Sequence, residues 1–476
     1  MKALLSRRTL GFQRCVFLLG ILVVLQACSR VILPKGEAEE RARVERSEGV
    51  LAVAFEKRPL PDIATSAPLS LVLEYAFQAS GEMEMAYREW RAALERIPQV
   101  GSLPDPRLEF DLLFSRENVK NFSVGDSGTW TSILRELNVK VSQEIPGPGK
   151  RQARGELALA ETRAAGERFR AAKYRLQNQV IRAYSEVALN GALTELTSDT
   201  LRILGQIHEV ALHRYHAMDE AMQSDLRKIE LEIENVQTEQ RMLAIARPAL
   251  VAELNGLLNR PADAPLERVG LPAIERPALS AADLFARAVE SNPELTALRK
   301  ELEARGATQL LAELERRPDY MLSAGIENPF ERMVPVEFGM TLPMFSRQRI
   351  RAAIAEALAM RQATEARYRG AASDVQARVV IALSRLRDAN RVLDDYRQRI
   401  LPTTRELLDL QQRYYGSGAG NFLDILDTER LLIDFEKLVR QAEADRLRFY
   451  AELEEVIGED LFDFLPEEMG QSEPNS

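Results

Sequence analysis

Four short stretches of the chain alternate apolar and polar residues with a period of two. In residues 107–115, Leu108, Phe110, Leu112 and Phe114 point one way, and Arg107, Glu109, Asp111 and Ser115 the other. In residues 137–145, Leu137, Val139, Val141 and Ile145 oppose Asn138, Lys140, Ser142 and Glu144. Tyr320, Leu322, Ala324 and Ile326, then Val336, Phe338, Met340 and Leu342, repeat the habit. The alternation predicts strands at about 107–115, 135–145, 319–327 and 334–342. Each runs to about nine residues, the length of a tilted transmembrane strand, and apolar-out, charged-in alternation suits a water-filled barrel. A half-buried sheet in a soluble protein has the same period, so the pattern alone does not choose.

The rest of the chain has helical periodicity. No proline occurs from Gly149 to Arg247, and only Pro402 between Pro343 and Pro466. Long helices are predicted at about 149–215, 221–258, 346–415 and 421–457, the first extending roughly 100 Å at 1.5 Å per residue. Its seam alternates 3/4 spacings through Leu176, Val180, Ala183, Val187, Asn190, Thr194, Thr197, Leu201, Leu204, His208, Ala211 and Tyr215. That is a coiled-coil seam with many small members. The last helix repeats it with Ile425, Thr428, Leu432, Phe435, Val439, Ala442, Phe449, Leu453 and Val456.

Strands and helices recur together. Val139–Pro146 aligns with Val336–Pro343 at an offset of about 197, followed by Arg154/Arg351, Ala158/Ala355 and Ala160/Ala357. Each half therefore reads helix, strand, strand, two long helices. This is a duplicated unit. It occupies about 69–258 and 279–457. A proline-punctuated linker at 28–68, a second at 259–278 and an acidic tail at 458–476 surround it.

Charge and the N-terminus narrow the class. The 476 residues include 63 basic and 72 acidic ones, net −9, which excludes a basic nucleic-acid footprint. Lys2, Arg7, Arg8 and Arg14 precede an apolar run from Cys15 to Leu25 that is too short to span a bilayer. Together they read as an export signal over residues 1–27. Leu25-Gln-Ala-Cys28 resembles a bacterial lipobox, so Cys28 is expected to carry lipid, with no other cofactor. Ser29 follows where an aspartate would favour inner-membrane retention, which directs the expectation to the outer membrane of a Gram-negative cell. No later segment holds 18 uninterrupted apolar residues, so any membrane crossing must use strands. Four strands cannot close a barrel, and several chains must pool them.

Five motifs, in order within the duplicated frame, carry a resemblance to a known family. They are Leu103-Pro-Asp-Pro-Arg-Leu108, Gln143-Glu-Ile-Pro-Gly-Pro-Gly-Lys150, Leu342-Pro343, Tyr415-Gly-Ser-Gly418 and Leu423-Asp-Ile-Leu-Asp427. The chain is similar to the TolC family of outer-membrane efflux proteins, and the proline-glycine elbow to its heavy-metal branch. The resemblance implies a homotrimer that is mainly α with transmembrane β: a 12-stranded barrel above an α-helical tunnel. It implies a passive exit duct of a tripartite efflux system, docking on a periplasmic adaptor and an inner-membrane pump of the resistance-nodulation-division type. Asp424 and Asp427 would ring the periplasmic entrance. Asp225 and Tyr415 would make gate-closing links, and Gly416, Gly418 and Gly420 would form a hairpin tip. The family pattern has an arginine where this chain has Gly420, so its resting closure must differ.

Other chemistry is thin. Gly147-Pro-Gly-Lys150 lacks the remaining elements of a phosphate loop and reads as a strand-to-helix elbow. His213 and His216, one helical turn apart, are weak metal candidates beside His208 in the seam. No set of residues assembles an active site, so no enzyme is expected. Two other functions remain open. The same architecture serves type I protein secretion, and a periplasmic coiled-coil adaptor or structural lipoprotein would share the long helices.

Overall fold

The computed structural model describes residues 31–64, 67–114, 134–216, 222–267, 269–272, 280–326, 335–416 and 422–461. Two compact units divide them. One comprises residues up to Ser47, Glu89–Ala165 and Leu298–Tyr368, and the other Glu48–Arg88, Gly166–Ala297 and Arg369 onward. The elements in chain order are α1 (Glu37–Glu48), α2 (Leu69–Ala79), α3 (Gly81–Gly101), β1 (Arg107–Phe114), β2 (Leu134–Ile145), α4 (Lys150–His216) and α5 (Met222–Leu257). The second repeat supplies α6 (Ala281–Ser291), α7 (Pro293–Leu314), β3 (Tyr320–Ile326), β4 (Val336–Met340), α8 (Arg347–Asp395), α9 (Leu401–Gly416) and α10 (Phe422–Ile457). Among the described residues, no helix is long and apolar enough to cross a membrane.

The first unit holds an antiparallel sheet in the order β1-β2-β3-β4. Its register aligns Leu108 with Val141, Val141 with Ala324 and Ala324 with Val336, so these four share one face. Phe110, Val139, Phe338 and Met340 fall on the same face by alternation, and Leu108, Phe110, Val141, Val336, Phe338 and Met340 are exposed there. Glu109, Lys140, Ser323 and Glu337 take the opposite face. There Lys140 pairs with Glu337, and the Ser323 hydroxyl donates to the same carboxylate at 3.1 Å. Gly325 lies opposite Lys140, and an added Cβ would stand 2.8 Å from the Val139 carbonyl oxygen. β2 and β3 can approach there only because the side chain is missing.

The second unit is built from packed helices. The predicted seam of α4 buries Leu176, Val180, Ala183, Val187, Asn190, Thr197, Leu204 and Ala211. The seam of α10 buries Ile425, Thr428, Val439, Ala442, Leu453 and Val456. Both α5 and α10 end on a residue in the left-handed region, Asn259 (φ 53°) and Gly458 (φ 78°). At Gly458 a Cβ would also stand 2.3 Å from Pro293 Cδ, so only glycine fits.

Two expectations are corrected. The helix expected over about 346–415 is interrupted by a π turn, Tyr396–Ile400, between α8 and α9. Pro402 has no N–H to donate to the carbonyl four residues back, and the ladder shifts register just before it. Leu393, Leu401, Val439 and Ala442 pack around this turn, with the Tyr396 ring edge-on to Phe435 at 5.4 Å. The segment 28–68 is not a plain linker. It contains α1, whose Glu40 accepts a 2.9 Å hydrogen bond from the Trp90 indole N–H, and whose Arg41 reaches Glu95 at 3.0 Å. Further on, Arg58 is buried and donates to the carbonyls of Val53 and Gln78 and to Glu84 at 2.6–3.0 Å. A helix of mostly charged residues has no apolar period to announce it. Its folding depends on partners distant in sequence.

Candidate functional site

The ends of four helices converge on one small core. Leu204 and Ala211 of α4, Leu226, Ile229 and Val236 of α5, and Leu426 of α10 form it, with Tyr415 from the last turn of α9 packed against them. Tyr415 is half-buried there. Asp225 adjoins Leu226 in the first turn of α5, but its side chain lies outside the described residues, as does that of His216. Gly416 closes α9, whereas Gly418 and Gly420 fall between the described residues.

Asp424 and Asp427 are both exposed and lie three residues apart, on one side of α10. Asp424 occupies the helix's first turn, where a carboxylate also complements the positive end of the helix dipole. Asp427 is 71% exposed, with Arg430 Nη1 3.8 Å away. Arg430 Nε in turn donates to Glu232 of α5 at 2.9 Å. One heptad further, Lys437 Nζ donates to Glu239 at 2.7 Å. The two rungs join α5 to α10. The hydrogen bond to Glu232 raises Arg430 above its ordinary pKa.

Sequence reasoning missed this ladder, although a signal existed. Each pair is 198 residues apart, close to the repeat offset, so equivalent positions of the two halves carry opposite charges. Glu429, also missed, is buried on α10; burial pushes its carboxyl up, and nearby Glu436 adds to the effect.

Residues 72–217 and 284–459 match the sequence profile of the outer membrane efflux protein family, spanning both copies of the duplicated unit. The chain belongs to that family. It is 23% identical to the cobalt-zinc-cadmium resistance protein CzcC of Cupriavidus metallidurans, over 77% of this chain and 84% of that protein. The fold is similar to the outer membrane protein VceC of Vibrio cholerae (TM-score 0.66, 19% identity, 82% of this chain and 96% of that one). It is also similar to the open state of the MtrE outer membrane channel of Neisseria gonorrhoeae (TM-score 0.66, 19% identity, 82% and 88%).

Within this efflux-family frame the remaining candidates take their places. His213 is exposed, and His208 Nε2 lies 3.9 Å from Glu230 across α4 and α5. Among the described residues no group of three or more His, Cys, Asp or Glu is placed to hold a metal ion. Lys150 of the glycine-rich elbow is 1% exposed and bound to Asp319 at 2.9 and 3.0 Å. It is committed to an internal ion pair rather than to a phosphate.

Proposed function

We propose that three copies of this chain form the outer-membrane exit duct of a tripartite efflux system. The four-stranded sheet carries this reading. It exposes an apolar face along its length, and β1 and β4 are edges with unpaired backbone groups among the described residues. In lipid each unsatisfied N–H or C=O costs several kcal/mol, so such a sheet enters a bilayer only when copies close it into a barrel. Three copies, as in the family resembled, supply 12 strands and a helical tunnel of 12 long rods. The polar face, with Glu109, Lys140 and Glu337, then lines water.

The duct is passive. An inner-membrane pump of the resistance-nodulation-division type supplies the energy, and a periplasmic adaptor joins pump to channel. Cys28 carries lipid in the outer membrane, and the rods extend into the periplasm. Asp424 and Asp427 form a threefold carboxylate ring at the periplasmic entrance, with Asp225 and Tyr415 in the closing contacts and Gly416, Gly418 and Gly420 at the hairpin tip. Six carboxylates in a narrow aperture favour and bind cations. The likeness to a protein named for cobalt, zinc and cadmium resistance supports divalent metal cations as cargo.

Planar-bilayer recording tests the reading. The purified protein should conduct, multivalent cations should block it from the periplasmic side, and the double variant Asp424→Ala/Asp427→Ala should lose the block. Absence of conductance overturns the channel, and unchanged block in the double variant overturns the ring.

A further inference from the structure

The duplication produces two strand-to-helix elbows at the same end of the sheet, and their chemistry is opposite. The first follows β2. Pro146 and Gly147 are buried there, the Gly147 amide donates to Asp319 at 2.7 Å, and Arg317 Nη1 donates to the Pro148 carbonyl at 2.6 Å. Its Gly147 amide and Pro148 carbonyl are paired with side chains, although Pro148 and Gly149 are exposed. The second follows β4 at the equivalent positions, where Met344 and Phe345 stand in place of Gly147 and Pro148. Here Leu342 and Met344 are exposed and Phe345 is 100% exposed.

This second elbow is built, not slack. Met344 N donates to Leu342 O at 2.8 Å, a tight turn centred on the fixed ring of Pro343. Thr341 N donates to Asp319 O at 2.8 Å before it, and Ile350 N to Ser346 O at 2.9 Å after it. Leu342 also continues, by alternation, the face that exposes Val336, Phe338 and Met340. The apolar surface of the sheet therefore runs past the end of the strand and onto the elbow.

A second exposed apolar run marks the same end. Val31, Ile32 and Leu33 are exposed, and Ile32 N donates to Gly101 O at 3.2 Å, six residues before β1 begins. Cys28 precedes Val31 by three residues, so a lipid on it would start within about 11 Å of this level.

We propose that Leu342–Phe345 is an interfacial wedge that enters the periplasm-facing leaflet of the outer membrane and sets the depth of the barrel. The wedge rests on the barrel reading above. Its occupant is lipid, because the exposed residues continue the lipid-facing side of the sheet, and the exposed N-terminal segment joins the chain at the same end, six residues before β1.

The test uses the full chain reconstituted in vesicles whose lipids are brominated just below the headgroup. Phe345→Trp adds fluorescence over the wild type, and the bromolipid should roughly halve that increment, as expected for an aromatic ring at the interface. Met242→Trp, on the exposed face of α5, should show no quenching. A Phe345→Trp channel that conducts yet is unquenched means that another copy of the chain covers the elbow, which overturns the wedge. Wild-type protein that neither inserts nor conducts overturns the barrel reading, and the wedge with it.

Discussion

Replacing Lys150 by methionine measures what holds the first elbow together. Its ammonium lies 2.9 and 3.0 Å from the two oxygens of Asp319 and 3.7 Å from Glu315. Methionine has nearly the same volume, so little cavity opens and the loss is ionic. Stranding one partner of a buried pair costs about 3–5 kcal/mol. Asp319 is 31% exposed, so water recovers part of this, and about 2–3 kcal/mol is expected. Asp319→Asn leaves the more deeply buried Lys150 with only Glu315 at 3.7 Å and should cost a similar amount. The double variant Lys150→Met/Asp319→Asn removes both charges and keeps an acceptor for the Gly147 amide. It should lose only about 1 kcal/mol, and so be more stable than either single variant.

Urea unfolding in detergent, followed by tryptophan fluorescence, reads this out, because Trp90 is buried in the same unit. The pair also has a pH signature. Burial pushes Asp319 up, but the Gly147 amide and Lys150 outweigh it and hold the carboxyl below its ordinary pKa. The stabilisation is therefore complete above the ordinary carboxylate range and disappears as pH falls through the depressed value. Wild type should lose stability there and Asp319→Asn should not. Additive single costs, or parallel acid profiles, would refute the ion-pair account.

Three further outcomes are expected. Glu429 is buried with its carboxyl raised, so the charged form opposes folding; Glu429→Gln should raise the thermal midpoint at neutral pH, and the advantage should shrink as pH falls below the raised value and be gone below the ordinary carboxylate range. Gly101→Ala would place a Cβ 2.5 Å from the Ile32 carbonyl oxygen and should release the N-terminal segment, read as faster proteolysis before α1 with the sheet intact. Cys28→Ala should abolish incorporation of labelled fatty acid yet still yield trimers on size-exclusion chromatography. Loss of trimers would show that the lipid, not the barrel, drives assembly.

The amino-acid pattern by itself determined the parts that depend on local periodicity. Alternation at Leu108, Phe110, Val139 and Val141 reads as a strand face because successive side chains must point oppositely. The seam from Leu176 to Ala211 reads as a buried helix stripe because 3/4 spacing leaves no other choice. The duplicated frame and its five motifs placed both strand pairs and the carboxylates of α10. Tertiary structure alone decided what depends on approach between distant segments. Helix α1 and the buried Arg58 carry no periodic signal, and each depends on a partner 20 or more residues away. The rungs Glu232–Arg430 and Glu239–Lys437 exist only because α5 and α10 lie side by side. The two elbows look alike as proline turns on paper. One buries a lysine against Asp319 and the other holds a phenylalanine in the open, because β3 begins between them and turns the Asp319 carboxylate to the first elbow and only its backbone carbonyl to the second.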